Sequence, residues 1–246
     1  MNKDPASLRQ DAFNFIDELE RLSDSDSILD ALQRVLAPFG FGRVVMSGLT
    51  LQPGQVFDDI VLASRWPHEF QAIYSARDYL RISPIVRLAI RSSHPFEWDE
   101  ATWRKDEDPR AIELMELAAR FDMPRGFVVP IHGPAGAGAF VALSGVNLDM
   151  ADSNTKPIIH MMALYAFDRV RRLALPKTPD KPFLTNRERE VLAWAAQGKS
   201  AWETGEILNI AKRTVDEHAQ TATRKLGAAN RTQAVVIALR DRLFEV

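Results

Sequence analysis

Apolar residues change their period several times along the chain. Over 5–22 and 25–37 they recur every three or four positions, as at Phe13, Ile16, Leu19 and Leu22, which predicts two amphipathic helices. Residues 39–51 and 57–64 flank Gln52-Pro53-Gly54 and predict two strands around a turn. Helical spacing returns over 66–92 and 107–121. FVVPI (127–131) and AFVALSGV (139–146) then flank GPAGAG (133–138), which predicts a hairpin. A last helix is expected over 155–173. One of its stripes is Ile159, Met162, Ala166, Val170 and Leu173, and a second face shows Ile158, Met161 and Tyr165. The order ααββααββα implies a central antiparallel sheet with helices on both faces, an α-β-α sandwich.

The pattern breaks at 175–182, where Pro176, Pro179 and Pro182 remove backbone donors and disfavour helix before each. This stretch reads as a linker between a domain at 1–174 and one at 183–246; an ordinary surface loop is the alternative. The second domain opens with a capping box at Thr185 and Glu188. Its first helix stops at Gly198, because a left-handed C-cap favours glycine. A short helix over 201–208, a tight turn at Asn209-Ile210-Ala211 and a helix from Arg213 to Leu226 follow, and a fourth helix spans about 230–243. Two short helices joined by such a turn make a helix-turn-helix, whose second helix can enter a major groove. The expected class is therefore α+β, with an all-α four-helix C-terminal domain.

Composition narrows the chemistry. The chain of 246 residues is 46% hydrophobic and 26% charged, as in folded globular proteins. It has no cysteine, which excludes disulfide scaffolds, thiolate zinc sites and cysteine nucleophiles. No secretory signal or run of roughly 18 apolar residues is visible, so a cytoplasmic protein with no membrane partner is expected. Net charge is −2. From Phe183 onward there are 10 Lys+Arg against 8 Asp+Glu, a balance too mild to identify a DNA binder by charge. Enzyme signatures are missing. The five histidines lack H-x-x-x-H spacing, no G-x-S-x-G elbow occurs, and 133–138 lacks the ending of a phosphate loop. Asp58-Asp59 stands too far along the chain for a phospho-receiver. Neither a resident cofactor nor a metal is expected.

Residues 184–235 resemble the helix-turn-helix domain of the LuxR family. The matching pieces are L-T-x-R-E-x-E-V-L from Leu184, G-K-S from Gly198, E-I-L-x-I from Glu206, T-V-x-x-H from Thr214 and K-L-G-A-x-N-R-x-Q-A from Lys225. The resemblance implies double-stranded promoter DNA as a partner. The candidate contacts are Arg213, Thr214, Glu217, Gln220, Thr221 and Arg224, with Lys199, Lys212, Lys225 and Arg231 as phosphate anchors. Departures fall at Thr204-Gly205, where the family has an apolar residue and alanine, and at Asp216-Glu217, where it often has a base.

Residues 66–98 resemble the acyl-homoserine-lactone sensor of quorum-sensing regulators in this family, through Tyr74, Pro84, Pro95-Phe96 and Trp98, with Gly126 and 130–133 further on. Aromatic residues crowd into 57–103 and suit a cavity with rigid apolar walls. The implied ligand-binding residues are Trp66, Phe70, Tyr74, Ser83, Trp98, Trp103 and Ala142. Three of them depart from the family. Its tryptophan donor falls at Phe70, its acidic acceptor at Ser83 and a common hydroxyl at Ala142. Three alternatives remain at this point: an acyl-homoserine lactone, another small apolar autoinducer, or a cavity filled by side chains in a regulator that needs no ligand. The resemblance further implies a homodimer on a palindromic site, and contact with RNA polymerase if the protein activates.

Overall fold

Five strands pair antiparallel in the N-terminal unit: β1 (Arg43–Gly48), β2 (Val61–Ser64), β3 (Phe96–Glu97), β4 (Arg125–His132) and β5 (Gly138–Gly145). Their spatial order is β2-β1-β5-β4-β3. The computed structural model describes residues 5–49, 55–101, 108–133, 138–148, 155–174, 184–241 and 243–244. Among these, seven helices surround the sheet: α1 (Pro5–Leu19), α2 (Ser25–Leu36), α3 (His68–Ala76), α4 (Tyr79–Ile82), α5 (Pro84–Arg91), α6 (Pro109–Arg120) and α7 (Thr155–Ala174).

The strands read as continuous apolar runs because both sheet faces are buried. Val44, Met46, Phe127, Val129, Val141 and Leu143 pack against α1, α2 and α7. Their neighbours Val45, Val128, Phe140 and Ala142 point to the other side, into the aromatic cluster beneath α3–α6. A period of two thus distributes one chain segment between two cores. The expected hairpin is found, with β4 and β5 in register from Arg125↔Gly145 to His132↔Gly138.

Several elements differ from the sequence expectation. The helix expected over 66–92 is three helices. Asp78 adopts a left-handed conformation (φ 52°) and breaks the first from the second. Ser83 is extended and caps α5, whose first residue Pro84 has no amide to donate upstream. The strand expected over 57–64 begins only at Val61. Phe57–Ile60 form a 3-10 turn, held by the Asp59 carboxylate accepting from the Val56 amide at 2.8 Å. β3 is an unforeseen edge strand; two residues are too few to show a period. On α7 the first stripe is core except for Leu173, which is 38% exposed. The second face is not a uniform surface: Ile158 is buried, Met161 is partly buried against the core, and Tyr165 is 50% exposed.

The C-terminal unit holds α8 (Asn186–Ala196), α9 (Ala201–Leu208), α10 (Lys212–Lys225) and α11 (Arg231–Arg240). The expected linker lies outside the described residues. Three caps set the helix starts: Thr185 accepts from the Glu188 amide, Ser200 from Glu203 and Asn230 from Gln233. Gly198 (φ 81°) and Gly227 (φ 63°) end α8 and α10 in the left-handed conformation. Two small clusters form the core, one around Leu192, Ala222, Ala234 and Ala238, the other around Val191, Val215 and Ala219.

The unusual pair on α9 has a structural meaning. Gly205 lies against the turn; an added Cβ would stand 2.7 Å from the Ile210 carbonyl oxygen. Thr204 is fully buried and its Oγ1 has no hydrogen-bond partner. A buried hydroxyl without a partner destabilises by about 1–3 kcal/mol. Thr204→Val should therefore stabilise this unit by about 1 kcal/mol and raise its melting temperature by about 4–8 °C. Thermal melting of the intact chain checks this, and a lower melting temperature would contradict it.

Candidate ligand cavity and nucleic-acid interface

Six of the seven predicted ligand residues border one apolar cavity of about 30 Å³: Trp66, Phe70, Tyr74, Ser83, Trp98 and Ala142. Trp103 lies outside the described residues. The helix breaks explain the convergence. α3 supplies Phe70 and Tyr74, the α4–α5 junction supplies Ser83, and β5 supplies Ala142 from the sheet face opposite α7. Gly126 on β4 makes room for Trp98. A Cβ there would stand 2.3 Å from Trp98 Cε2 and 2.7 Å from the Leu143 carbonyl oxygen.

Sequence reasoning missed the rest of the wall. Ile85 and Val86 come from α5, Leu114, Met115 and Ala118 from α6, and Phe140 from β5. Apolar residues at helical or strand spacing carry no mark of whether they border a cavity.

The aromatic rings pack edge to face and tilted. Trp66 stands 5.0 Å from Phe70 and 5.2 Å from Tyr74 between ring centroids, and Phe57 stands 4.6 Å from Tyr74. Two polar groups belong to residues that line this apolar space. Trp66 Nε1 is buried and has no hydrogen-bond partner. Burial pushes the Tyr74 phenol pKa well up, and the neighbouring Ser83 hydroxyl offsets only part of that. Tyr74 is therefore a neutral hydroxyl across the physiological range.

In the second unit, α10 buries Val215, Ala219 and Ala222 and turns Lys212, Arg213, Asp216, Glu217, Gln220 and Arg224 outward. Thr214 and Thr221 are half-buried at the edges of that face. Ala211 gives α10 no side-chain cap, so its first amides are left for solvent or an anion. Arg213 Nε reaches Glu217 Oε1 at 3.1 Å, so the acidic departure from the family is partly neutralised on its own helix. Lys199 approaches Glu203 at 3.5 Å.

Two of the candidate phosphate anchors make contacts or are partly buried within the unit. Lys225 Nζ lies 2.8 Å from Glu188 Oε2, and the Glu188 side chain is 5% exposed. The same carboxylate accepts from the Thr185 amide at 2.8 Å. Burial alone would raise the Glu188 pKa; the Lys225 and Thr185 bonds outweigh it and hold the group below its ordinary value. Lys225 thus ties α10 to α8. Arg231 has Nε and Nη2 buried without partners, so its guanidinium does not stand clear in solvent.

A ring-walled cavity behind a two-sided sheet, together with a helix-turn-helix, defines a ligand-sensing DNA-binding regulator. The chain belongs to the LuxR family of bacterial regulatory proteins. Residues 24–170 match the family described as "Autoinducer binding domain" and residues 182–238 match "Bacterial regulatory proteins, luxR family". The chain is 46% identical to the transcriptional activator protein BjaR1 of Bradyrhizobium diazoefficiens over 235 residues, covering 96% of each chain. It is 36% identical to RpaR of Rhodopseudomonas palustris, an HTH-type quorum sensing-dependent transcriptional regulator, covering 93% of this chain and 92% of that one. In fold it is similar to Escherichia coli SdiA, with a TM-score of 0.71 at 21% identity over 95% of this chain and 98% of that one. The protein is a quorum-sensing type transcriptional regulator. No described helix is long and apolar enough to cross a membrane, and no described group of three or more His, Cys, Asp or Glu could hold a metal ion.

Proposed function

We propose that residues 1–174 sense a small autoinducer and residues 183–246 read promoter DNA as a homodimer, the two joined by the linker at 175–182. The observation that carries this reading is the convergence of Trp66, Phe70, Tyr74, Ser83, Trp98 and Ala142 on one apolar cavity. An acyl-homoserine lactone or a related neutral acyl compound suits those walls.

The volume of about 30 Å³ bears on the mechanism. Pockets for drug-sized ligands hold roughly 300–1,000 Å³. Ligand entry must therefore displace side chains, and Met115, unbranched and 38% exposed, is the wall residue best suited to yield. The same small volume favours a second reading, in which the aromatic cluster fills its own cavity and the regulator works without ligand.

Dimerisation is supported by exposed apolar residues: Phe13 on α1, Tyr165 and Leu173 on α7, and Val236 and Leu239 on α11. One helix-turn-helix reads a half-site, and a two-fold dimer reads a palindrome. An activator would then meet RNA polymerase at the promoter.

Two measurements test the reading. Lactones of graded acyl length, at about 100 times Kd, should stabilise the protein by about 2.7 kcal/mol. No shift with any of them, together with duplex binding by the ligand-free protein, would favour the second reading. Arg224→Ala should weaken duplex binding about tenfold and lower the slope against log salt by about one. Unchanged affinity and slope would remove α10 from the interface.

A further inference from the structure

Arg213, the second residue of α10, and Glu217, one turn later, stand away from the buried residues Val215, Ala219 and Ala222 of that helix. Their side chains are 91% and 62% exposed. Arg213 donates to Glu217 Oε1 through Nε, at 3.1 Å, and its guanidinium makes no other hydrogen bond among the described residues. Stability does not account for the pair. An exposed ion pair at this spacing adds little. Its order is also the poorer one, with the base near the helix N-terminus, where the dipole favours an acid. What the bond does is restrain the plane of the guanidinium through its inner nitrogen and leave both terminal nitrogens free. Those two present a fork of N–H donors.

Guanine is the base whose major-groove edge fits that fork, with O6 and N7 as neighbouring acceptors. In a helix-turn-helix, the first residues of the recognition helix are the ones that reach base edges. Glu217 argues for a base rather than a phosphate as the target, because a carboxylate beside a phosphate contact is repelled by it. At the groove floor the same carboxylate can accept from a cytosine amino group. We propose that Arg213 reads a guanine in each half-site of the operator and that Glu217 is the positioning residue that orients it. The proposal rests on α10 being the helix that enters the groove, as read above.

The test selects randomised duplexes with the full-length protein, with and without the lactones named above, and then measures affinities for the selected site. One guanine per half-site should be invariant. Replacing it with adenine, or with 7-deazaguanine, which lacks the N7 acceptor, should weaken binding about tenfold. Arg213→Ala should bind all three duplexes alike. Glu217→Ala should lower the preference for guanine over adenine about tenfold while raising affinity for unrelated duplexes, because it removes a negative charge. Glu217→Gln keeps an acceptor for the Arg213 Nε hydrogen and should restore most of the preference. If Arg213→Ala weakens every duplex equally and lowers the slope against log salt by about one, Arg213 is a phosphate contact and the proposal is wrong. If the guanine preference survives in Arg213→Ala, another residue reads it, and the proposal is wrong while the DNA-reading unit stands. If no duplex is enriched in either condition, the DNA-reading assignment itself fails and the proposal falls with it.

Discussion

Gly126→Ala should destabilise the sensor unit by about 3 kcal/mol, at the upper end of the usual effect of overpacking. Both obstacles are rigid. One is the Trp98 indole at 2.3 Å from the new Cβ, the other the Leu143 carbonyl at 2.7 Å. The carbonyl belongs to β5, which pairs with β4 along its whole length. Relief therefore needs either an opened ladder or a displaced indole, and a displaced indole deforms the cavity. Urea denaturation followed by far-ultraviolet circular dichroism measures the loss of stability, and ligand titration measures the loss of response. An unchanged midpoint would mean that Trp98 can swing aside without cost.

Lys225→Ala should destabilise the reader unit by about 2–3 kcal/mol. The removed ammonium leaves a Glu188 carboxylate that is 5% exposed, with the Thr185 amide still donating to it. Loss of a fully buried partner costs about 3–5 kcal/mol, and the 34% exposure of the lysine side chain reduces that. Hydrogen exchange of α8 and α10 amides in the intact chain should accelerate, whereas Arg224→Ala should leave it unchanged while weakening DNA binding. Equal protection in both variants would show that the ion pair contributes nothing. Acidity should act through the same group. The Glu188 pKa is lowered in the fold, so its contribution is complete above the ordinary value of 4.5 and is lost as pH falls through the depressed folded value. Protection of the α8 amides, relative to their unfolded exchange rates at each pH, should therefore fall as pH drops below the ordinary carboxylate value in the unaltered protein and much less in Glu188→Gln.

Most of the fold was legible because its signals are local. The apolar runs at 127–131 and 139–146, the Thr185–Glu188 box, and Gly198 and Gly227 each act within a few positions. What escaped depends on neighbours distant in sequence. β3 is a strand only because Phe96 and Glu97 find Val128 and Phe127. Asp78 turns left-handed where α3 meets α4, a conformation that no periodicity predicts. The candidate site divides in the same way. Aromatic residues and Ser83 stood out, whereas Leu114, Met115 and Ala118 looked like any amphipathic helix face. The pairing of Lys225 with Glu188 also escaped, because Glu188 lies 37 positions earlier in the chain.

A sheet clad on both sides also constrains how this protein can change. Val141 and Ala142 are consecutive, yet one belongs to the chamber under α7 and the other to the ring-walled chamber. A slip of one residue in β5 would exchange the contents of the two chambers wholesale. Inheritable variation in β4 and β5 is therefore confined to swaps of matched bulk, and new ligand preferences must arise mostly from the helices that roof the cavity.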